Sequence, residues 1–172
     1  MRSEKYIIRE ARTSDAKELV DYVQRLSDEP DIPILLSPGE FDLTVYEEEM
    51  ILAEYLIMDN STFLVVEAEG KIIGALNCKG GDRKAIRHVV TLGISIDRDW
   101  RNLGIGKSLL EKAIEWARKT GIVTRIELNV FVRNKIAIHL YEKYSFEVEG
   151  ERRRAVYRNN EYEDELIMAL IL

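Results

Sequence analysis

Ile94-Ser-Ile-Asp-Arg-Asp-Trp-Arg101-Asn-Leu-Gly104-Ile-Gly106-Lys107 is the stretch that decides the fold. It opens as an apolar strand, passes through a charged turn and enters a helix at a pair of glycines. Ile105, Leu109, Leu110, Ala113, Ile114 and Ala117 then recur at helical spacing. They predict a strong amphipathic helix from Gly104 to about Thr120-Gly121, where glycine supplies the stop. Glycines at a helix start let a ligand approach the backbone without interference from a Cβ. The unpaired first-turn N–H groups and the positive end of the helix dipole form a seat for an anion such as a pyrophosphate. Close packing of helix on sheet is the plainer use of the same glycines.

Three familiar motifs come near this segment and fail. Gly104-Ile-Gly106-Lys107-Ser108 ends like a P-loop, but that motif needs glycine where Arg101 stands. A dinucleotide fingerprint needs one more glycine and an acidic residue about 20 positions on. Gly93-Ile-Ser95-Ile-Asp97 resembles a nucleophile elbow, but Asp97 replaces the second glycine. Phosphate binding survives these tests; nucleotide hydrolysis and serine catalysis do not.

Reading outward, Tyr6 to Glu10 is a short strand and Thr13, Ser14 and Asp15 offer N-cap chemistry to a helix carrying Leu19, Val20, Val23 and Leu26. Pro30, Pro33 and Pro38 place a long loop over residues 28 to 43. Thr44-Val-Tyr-Glu47 is a capping box opening a second helix through about Met58. Phe63 to Glu67 and Lys71 to Lys79 form a hairpin about Glu69-Gly70, and His88 to Ile96 is a long apolar strand. After the glycine-led helix come a strand from Ile126 to Val132, a helix from Asn134 to Lys143, a strand from Phe146 to Val156, a turn at Asn159-Asn160 and a last strand to about Leu172. This order predicts an α/β fold, a mixed sheet with helices on both faces.

With 172 residues, 46% of them apolar and 33% charged, the chain is read as one domain with a real core. No apolar run is long enough for a membrane helix, and the mixed charges of MRSEKYIIREARTSD resemble neither a signal nor a transit peptide. A cytoplasmic protein is expected. One cysteine and two histidines make no disulfide and no common zinc site, so no metal is expected. The net charge of −6 argues against nucleic acid as a partner. From Leu26 to Gly70 there are twelve acidic residues and neither Lys nor Arg. Such segregation predicts attraction for a cationic molecule.

Two signatures now combine. Arg101-Asn-Leu-Gly104-Ile-Gly106 follows the strand Ile94-Ser-Ile96, and Asn134-Lys-Ile-Ala137-Ile-His-Leu-Tyr141-Glu-Lys143 precedes Phe146. Together they resemble the GNAT superfamily of N-acetyltransferases, over nearly the whole chain. The resemblance implies a mostly antiparallel central sheet flanked by helices on both faces. It also implies a single acetyl-CoA-dependent domain over 1–172, with an acceptor-side variable part at about 26–60 and a cofactor-binding part at about 88–145. The backbone of Ile94, Ser95 and Ile96 would pair with the pantetheine arm like an added strand, the Ile94 amide polarising the thioester carbonyl. Asn102, Leu103, Gly104, Ile105, Gly106 and Lys107 would cradle the pyrophosphate. Asn134 would hold the cofactor from the neighbouring helix, and Tyr141 would face the departing thiolate. An unperturbed phenol lies above a thiol in pKa, making full proton transfer from Tyr141 uphill by about 2 kcal/mol, so hydrogen-bond donation is its expected role.

The amine's proton needs an acceptor. Some family members carry a glutamate where Asn129 stands here, and Asn129 cannot titrate. His88 has the right pKa class and is the candidate base; Glu127, the acidic loop and a water chain are the alternatives. Ser145 stands where the family usually has glycine. Cys78 reads as a buried strand residue, and Arg152, Arg153, Arg154 and Arg158 as solvated edge charges. The end of Leu166–Leu172 is a candidate homodimer surface. The expected reaction is direct attack by a cationic small-molecule amine on acetyl-CoA in a ternary complex. Protein N-termini or lysines, or non-catalytic acyl-CoA binding, are the alternatives.

Overall fold

The structure, a computed structural model, describes residues 6–29, 32, 34–37 and 39–172. Its elements run β1 (Ile7–Glu10), α1 (Ala16–Ser27), α2 (Val45–Ile57), β2 (Thr62–Ala68), β3 (Lys71–Gly80), β4 (Val89–Ile96), α3 (Ile105–Thr120), β5 (Arg125–Phe131), α4 (Lys135–Lys143), β6 (Glu147–Arg158) and β7 (Glu161–Ile171). Described residues between α1 and α2 form a loop; Pro30, Pro33 and Pro38, the expected breakers, lie outside the described residues.

The strands form a seven-stranded sheet in the order β1-β2-β3-β4-β5-β7-β6. Its pairs are antiparallel except β4 with β5. Side chains alternate across the sheet, so neighbouring residues serve different cores. Leu64 and Val66 join Leu109, Ala113 and Met168 beneath α3, whereas Val65 joins Leu19, Tyr22 and Leu52 beneath α1 and α2. The expected two-faced α/β architecture is the one observed.

The helix read from Gly104 needs little revision. The six apolar residues predicted for its face are the six it buries. Gly104 (φ +81°) and Gly121 (φ +65°) hold left-handed conformations at its two ends, which an L side chain resists. The second helix is capped as its sequence predicts: Glu47 N–H donates to Thr44 Oγ1 (3.2 Å), and the Glu47 carboxylate accepts from Thr44 N–H (2.8 Å).

Two expectations change. Thr13-Ser14-Asp15 form a 3-10 turn rather than a side-chain cap for α1. The Asp15 carboxylate instead accepts from Arg12 N–H (2.7 Å) and grips the Arg9 guanidinium (2.7 and 2.9 Å), which holds its pKa below the usual value. A charged partner outcompetes a neutral helix amide. Nor is Arg158 a solvated edge charge. It is buried, donates to the Ile34 carbonyl (3.1 Å) and to Glu163 (3.4 Å), and lies over the Phe131 ring. Its long stem covers apolar surface while its head ties the α1–α2 loop to β7. Arg152 likewise pairs with buried Glu165 (2.9 Å).

Candidate active site

The site begins where two parallel strands part. β4 pairs with β5 from Val89↔Arg125 to Thr91↔Glu127, after which β4 runs on to Ile96 beside β3 alone. β5 meanwhile stays paired with β7 through Phe131↔Glu165. The edge of β4 from Leu92 onward therefore faces an opening rather than a strand.

Strand alternation decides which groups face it. Asp97 N–H donates to the Ile73 carbonyl on β3, and the Val89 carbonyl accepts from Gly81 on the same side. Odd-numbered residues of β4 thus turn their backbone groups to β3, and even-numbered ones turn theirs to the opening. Ile94 presents its N–H and carbonyl there. Ile96 does too, but its carbonyl is taken by Arg101 Nε (2.9 Å). Ser95 departs from expectation: its backbone faces β3, and its hydroxyl accepts from buried Tyr22 of α1 (3.0 Å).

The turn after β4 leads from this edge into α3; Ile96 and residues 102–107 lie outside the lining of the cleft that the edge borders. Asn102 (φ +63°) and Gly104 (φ +81°) bend the backbone, and no side chain caps the first amides of α3. Those of Ile105, Gly106 and Lys107 remain available to an anion. A Cβ on Gly106 would meet Ile96 Cδ1 at 3.4 Å and Leu140 Cδ2 at 3.6 Å, so this glycine also seats α3 against the sheet and α4. Arg101 clamps the turn from below, donating to Glu29 Oε2 (2.6 Å) across the α1–α2 loop.

A cleft of about 490 Å³ opens beside the parted strands, a size suited to a small ligand. Ile94, Ser95, Asn134 and Tyr141 line it together, as does Asn129. Asn134 Oδ1 caps α4 by accepting from Ala137 N–H (3.2 Å). Tyr141 is buried against Phe146, and its hydroxyl meets no hydrogen-bond partner among the described residues. Burial pushes its pKa up to about 12, so the phenol stays protonated, with an O–H that can donate. Cys78 is fully buried among apolar strands and pushed up to about 12 as well.

His88 is not brought to this cleft. It is exposed at the other end of β4, six residues or roughly 20 Å of strand from Ile94, beyond the reach of a general base. Glu127, level with Thr91 on β4, does not line the cleft either and pairs with Arg125 (3.0 Å).

The acidic segment is partly compensated in space, four of its twelve acids meeting a cation among the described residues. Glu29 meets Arg101, Glu54 meets Lys79 (2.7 Å), Asp59 meets Arg87 and Glu67 meets Arg9 (2.9 Å). Each partner lies outside residues 26–70, which is why the linear reading found no counter-charge. Sequence reasoning also missed Glu48, which is only 8% exposed and lines the cleft. It sits in α2 on the buried stripe Glu48, Leu52, Tyr55, a spacing of four and three that could have revealed it.

The GNAT acetyltransferase family model matches residues 22–146, and the chain belongs to that family. It is 39% identical over 108 residues to the L-amino acid N-acetyltransferase AaaT of Escherichia coli (strain K12), covering 63% of this chain and 67% of that one. A GNAT-family acetyltransferase structure from Streptococcus pneumoniae is similar with a TM-score of 0.93 and 38% identity, covering 98% of this chain and all of that one. The Salmonella typhimurium protein yncA, solved with its cofactor acetyl-CoA, shares the fold at a TM-score of 0.84 and 17% identity, covering 98% and 94% of the two chains. The chain is thus a GNAT N-acetyltransferase acting with acetyl-CoA. The residues present fit that molecule: an open strand edge for an extended amide-bearing arm, uncapped amides for phosphates at the start of α3, and a buried donor, Tyr141, on the cleft that the strand edge borders.

Proposed function

We propose that the chain moves the acetyl group of acetyl-CoA to a primary amine of a cationic small molecule, by direct attack with both substrates bound. The observation carrying this reading is the parting of β4 from β5, which puts the free Ile94 edge, Asn134 and Tyr141 on one cleft. When bound, acetyl-CoA supplies an activated acyl group and a thiolate leaving group. The Ile94 N–H polarises the acyl carbonyl from the open edge, as a fixed backbone dipole aimed at developing charge. Asn102, Leu103, Gly104, Ile105, Gly106 and Lys107 hold the pyrophosphate with their backbone, and Asn134 contacts the cofactor from the start of α4.

Tyr141 steadies the leaving thiolate by hydrogen bonding. With its pKa pushed to about 12, full proton transfer to a thiolate is uphill by roughly 5 kcal/mol, which favours donation without transfer. Direct attack is supported by Cys78, whose sulfur is buried and held protonated and so cannot relay the acetyl group.

Thiol release from acetyl-CoA with a panel of amines, beside calorimetry of acetyl-CoA binding, tests the reading. Amine-dependent release of thiol is expected. Binding without release under any amine would make this an acyl-CoA-binding domain, and release only with peptide amines would make the acceptor a protein.

A further inference from the structure

One carboxylate in the cleft is unexplained by the architecture. Glu48 shares the buried stripe of α2 with Leu52 and Tyr55, positions at which helices place apolar residues. It lines the cleft, yet among the described residues it has neither an ion pair nor a side-chain hydrogen bond. Its place in the first turn of α2 gives it the favourable end of the helix dipole, which eases the cost of burial without supplying a counter-ion. Burial raises its pKa above the ordinary carboxylate value.

The surroundings define what would complete it. Leu19, Val23, Leu26, Ile34, Leu36 and Phe63 form an apolar wall. Among the described residues lining the cleft there is no Lys, Arg or His. The other lining acid, Glu165, is neutralised by Arg152. Tyr55 on the same helix accepts from Asn77 (2.8 Å) and makes no hydrogen bond to Glu48. Tyr22 of α1 is spent on Ser95, and Asp15 in the turn packed on α2 is held by Arg9.

We propose that Glu48 binds and deprotonates the ammonium of an amine whose body is apolar and carries neither a carboxylate nor a second charge. This inference rests on the N-acetyltransferase reading above and names the substrate class of the same cleft. A carboxylate-bearing acceptor would bring a second negative charge to a wall with no cation to receive it. A polyamine would have to strip water from a second ammonium against leucines. A single ammonium on an apolar body leaves no charge uncompensated.

The chemistry balances. The ammonium gives one proton to the Glu48 carboxylate, freeing the nitrogen lone pair. The C–N bond forms as the C–S bond breaks, and the electron pair of that bond leaves on sulfur. The second nitrogen proton neutralises the thiolate, with Tyr141 donating a hydrogen bond, and Glu48 returns its proton to water. A carboxylate with a raised pKa narrows the gap to an ammonium near 10 and is the better acceptor for it.

The test compares 2-phenylethylamine with L-phenylalanine, which differ by one carboxylate, and with spermidine, on wild type and Glu48→Gln. Wild type should favour 2-phenylethylamine over both by about tenfold or more in kcat/KM. Glu48→Gln should lose about a hundredfold in kcat/KM at neutral pH, retain acetyl-CoA affinity and recover partly at high pH, where the free amine is supplied by solution. Removing an uncompensated buried charge should leave the melting temperature unchanged or raised. A variant that fails to fold would show the carboxylate to be structural and overturn the proposal. So would Glu48→Gln at full rate, or preference for L-phenylalanine, spermidine or a peptide amine, all with the transferase reading intact. Release of no thiol with any amine, although acetyl-CoA binds, overturns that reading and this one with it.

Discussion

The two sides of the site are made of different material. One side, the end of β4 at the cleft and the start of α3 beyond the cleft lining, offers backbone: the Ile94 edge and the amides of Ile105, Gly106 and Lys107, shaped by positive φ angles at Asn102 and Gly104. The other side, formed by α1, α2 and their loop, offers side chains: leucines, Tyr22 and the lone carboxylate of Glu48. Backbone donors suit a ligand that never changes, because their positions do not depend on which residue stands there. Side chains suit a partner that differs between relatives, because one substitution re-shapes them. On the proposed reading, acetyl-CoA meets backbone on one side and the amine meets side chains on the other.

The largest effect should come from the donor between the two sides. Tyr141→Phe keeps the ring against Phe146 and removes a hydroxyl that no described residue engages. Turnover should fall by about a hundredfold with acetyl-CoA affinity preserved, and a full-rate variant would remove Tyr141 from the chemistry. On the backbone side, Gly106→Val should weaken acetyl-CoA binding by about tenfold, near 1.4 kcal/mol, measured by calorimetry. Its Cβ would begin at contact distance from Ile96 and Leu140, whose flexible ends must yield to the two methyls beyond it, so a melting curve of the variant accompanies the calorimetry. Gly104→Ala has open space but must hold φ +81°, and should cost about 1–2 kcal/mol of stability in denaturant titration. On the side-chain side, Tyr22→Phe removes the only hydroxyl bonded to Ser95 among the described residues and should cost about 1 kcal/mol.

The smallest effect concerns charge. Glu29, Glu54, Asp59 and Glu67 already have partners, which weakens the pull of the acidic segment. kcat/KM for a monoamine should change by less than about twofold between about 0.1 M and 1 M salt. A steep fall with salt would restore long-range steering by the acidic segment and blur the contrast between the two sides.

What was legible in the sequence follows the same division. The six apolar residues of α3, its terminal glycines, the Thr44–Glu47 cap and the Glu69-Gly70 hairpin are all written within one or two turns of chain. Local signals of that kind survive folding. The parting of β4 from β5 has no local signal, since it depends on where β5 stops pairing. Arg101 with Glu29, Tyr22 with Ser95, and Arg158 with Ile34 join residues far apart in sequence, and no spacing announces them. His88 drew notice through its pKa class alone, although strand length already places it far from Ile94. Glu48 was hidden in the run Glu47-Glu48-Glu49, where the helix dipole explains all three equally well. Only its stripe with Leu52 and Tyr55 sets it apart.

Binding of the acyl arm along β4 requires a free Ile94 amide, and hydrogen exchange followed residue by residue with and without acetyl-CoA measures that directly. Ser95 N–H, bonded to β3, should exchange slowly in both states. Ile94 N–H should exchange faster without ligand and slow by about tenfold or more with it, together with the amides of Ile105, Gly106 and Lys107. Protection at α3 with Ile94 unchanged would contradict the account, because the acyl arm would then lie somewhere other than the opening between β4 and β5.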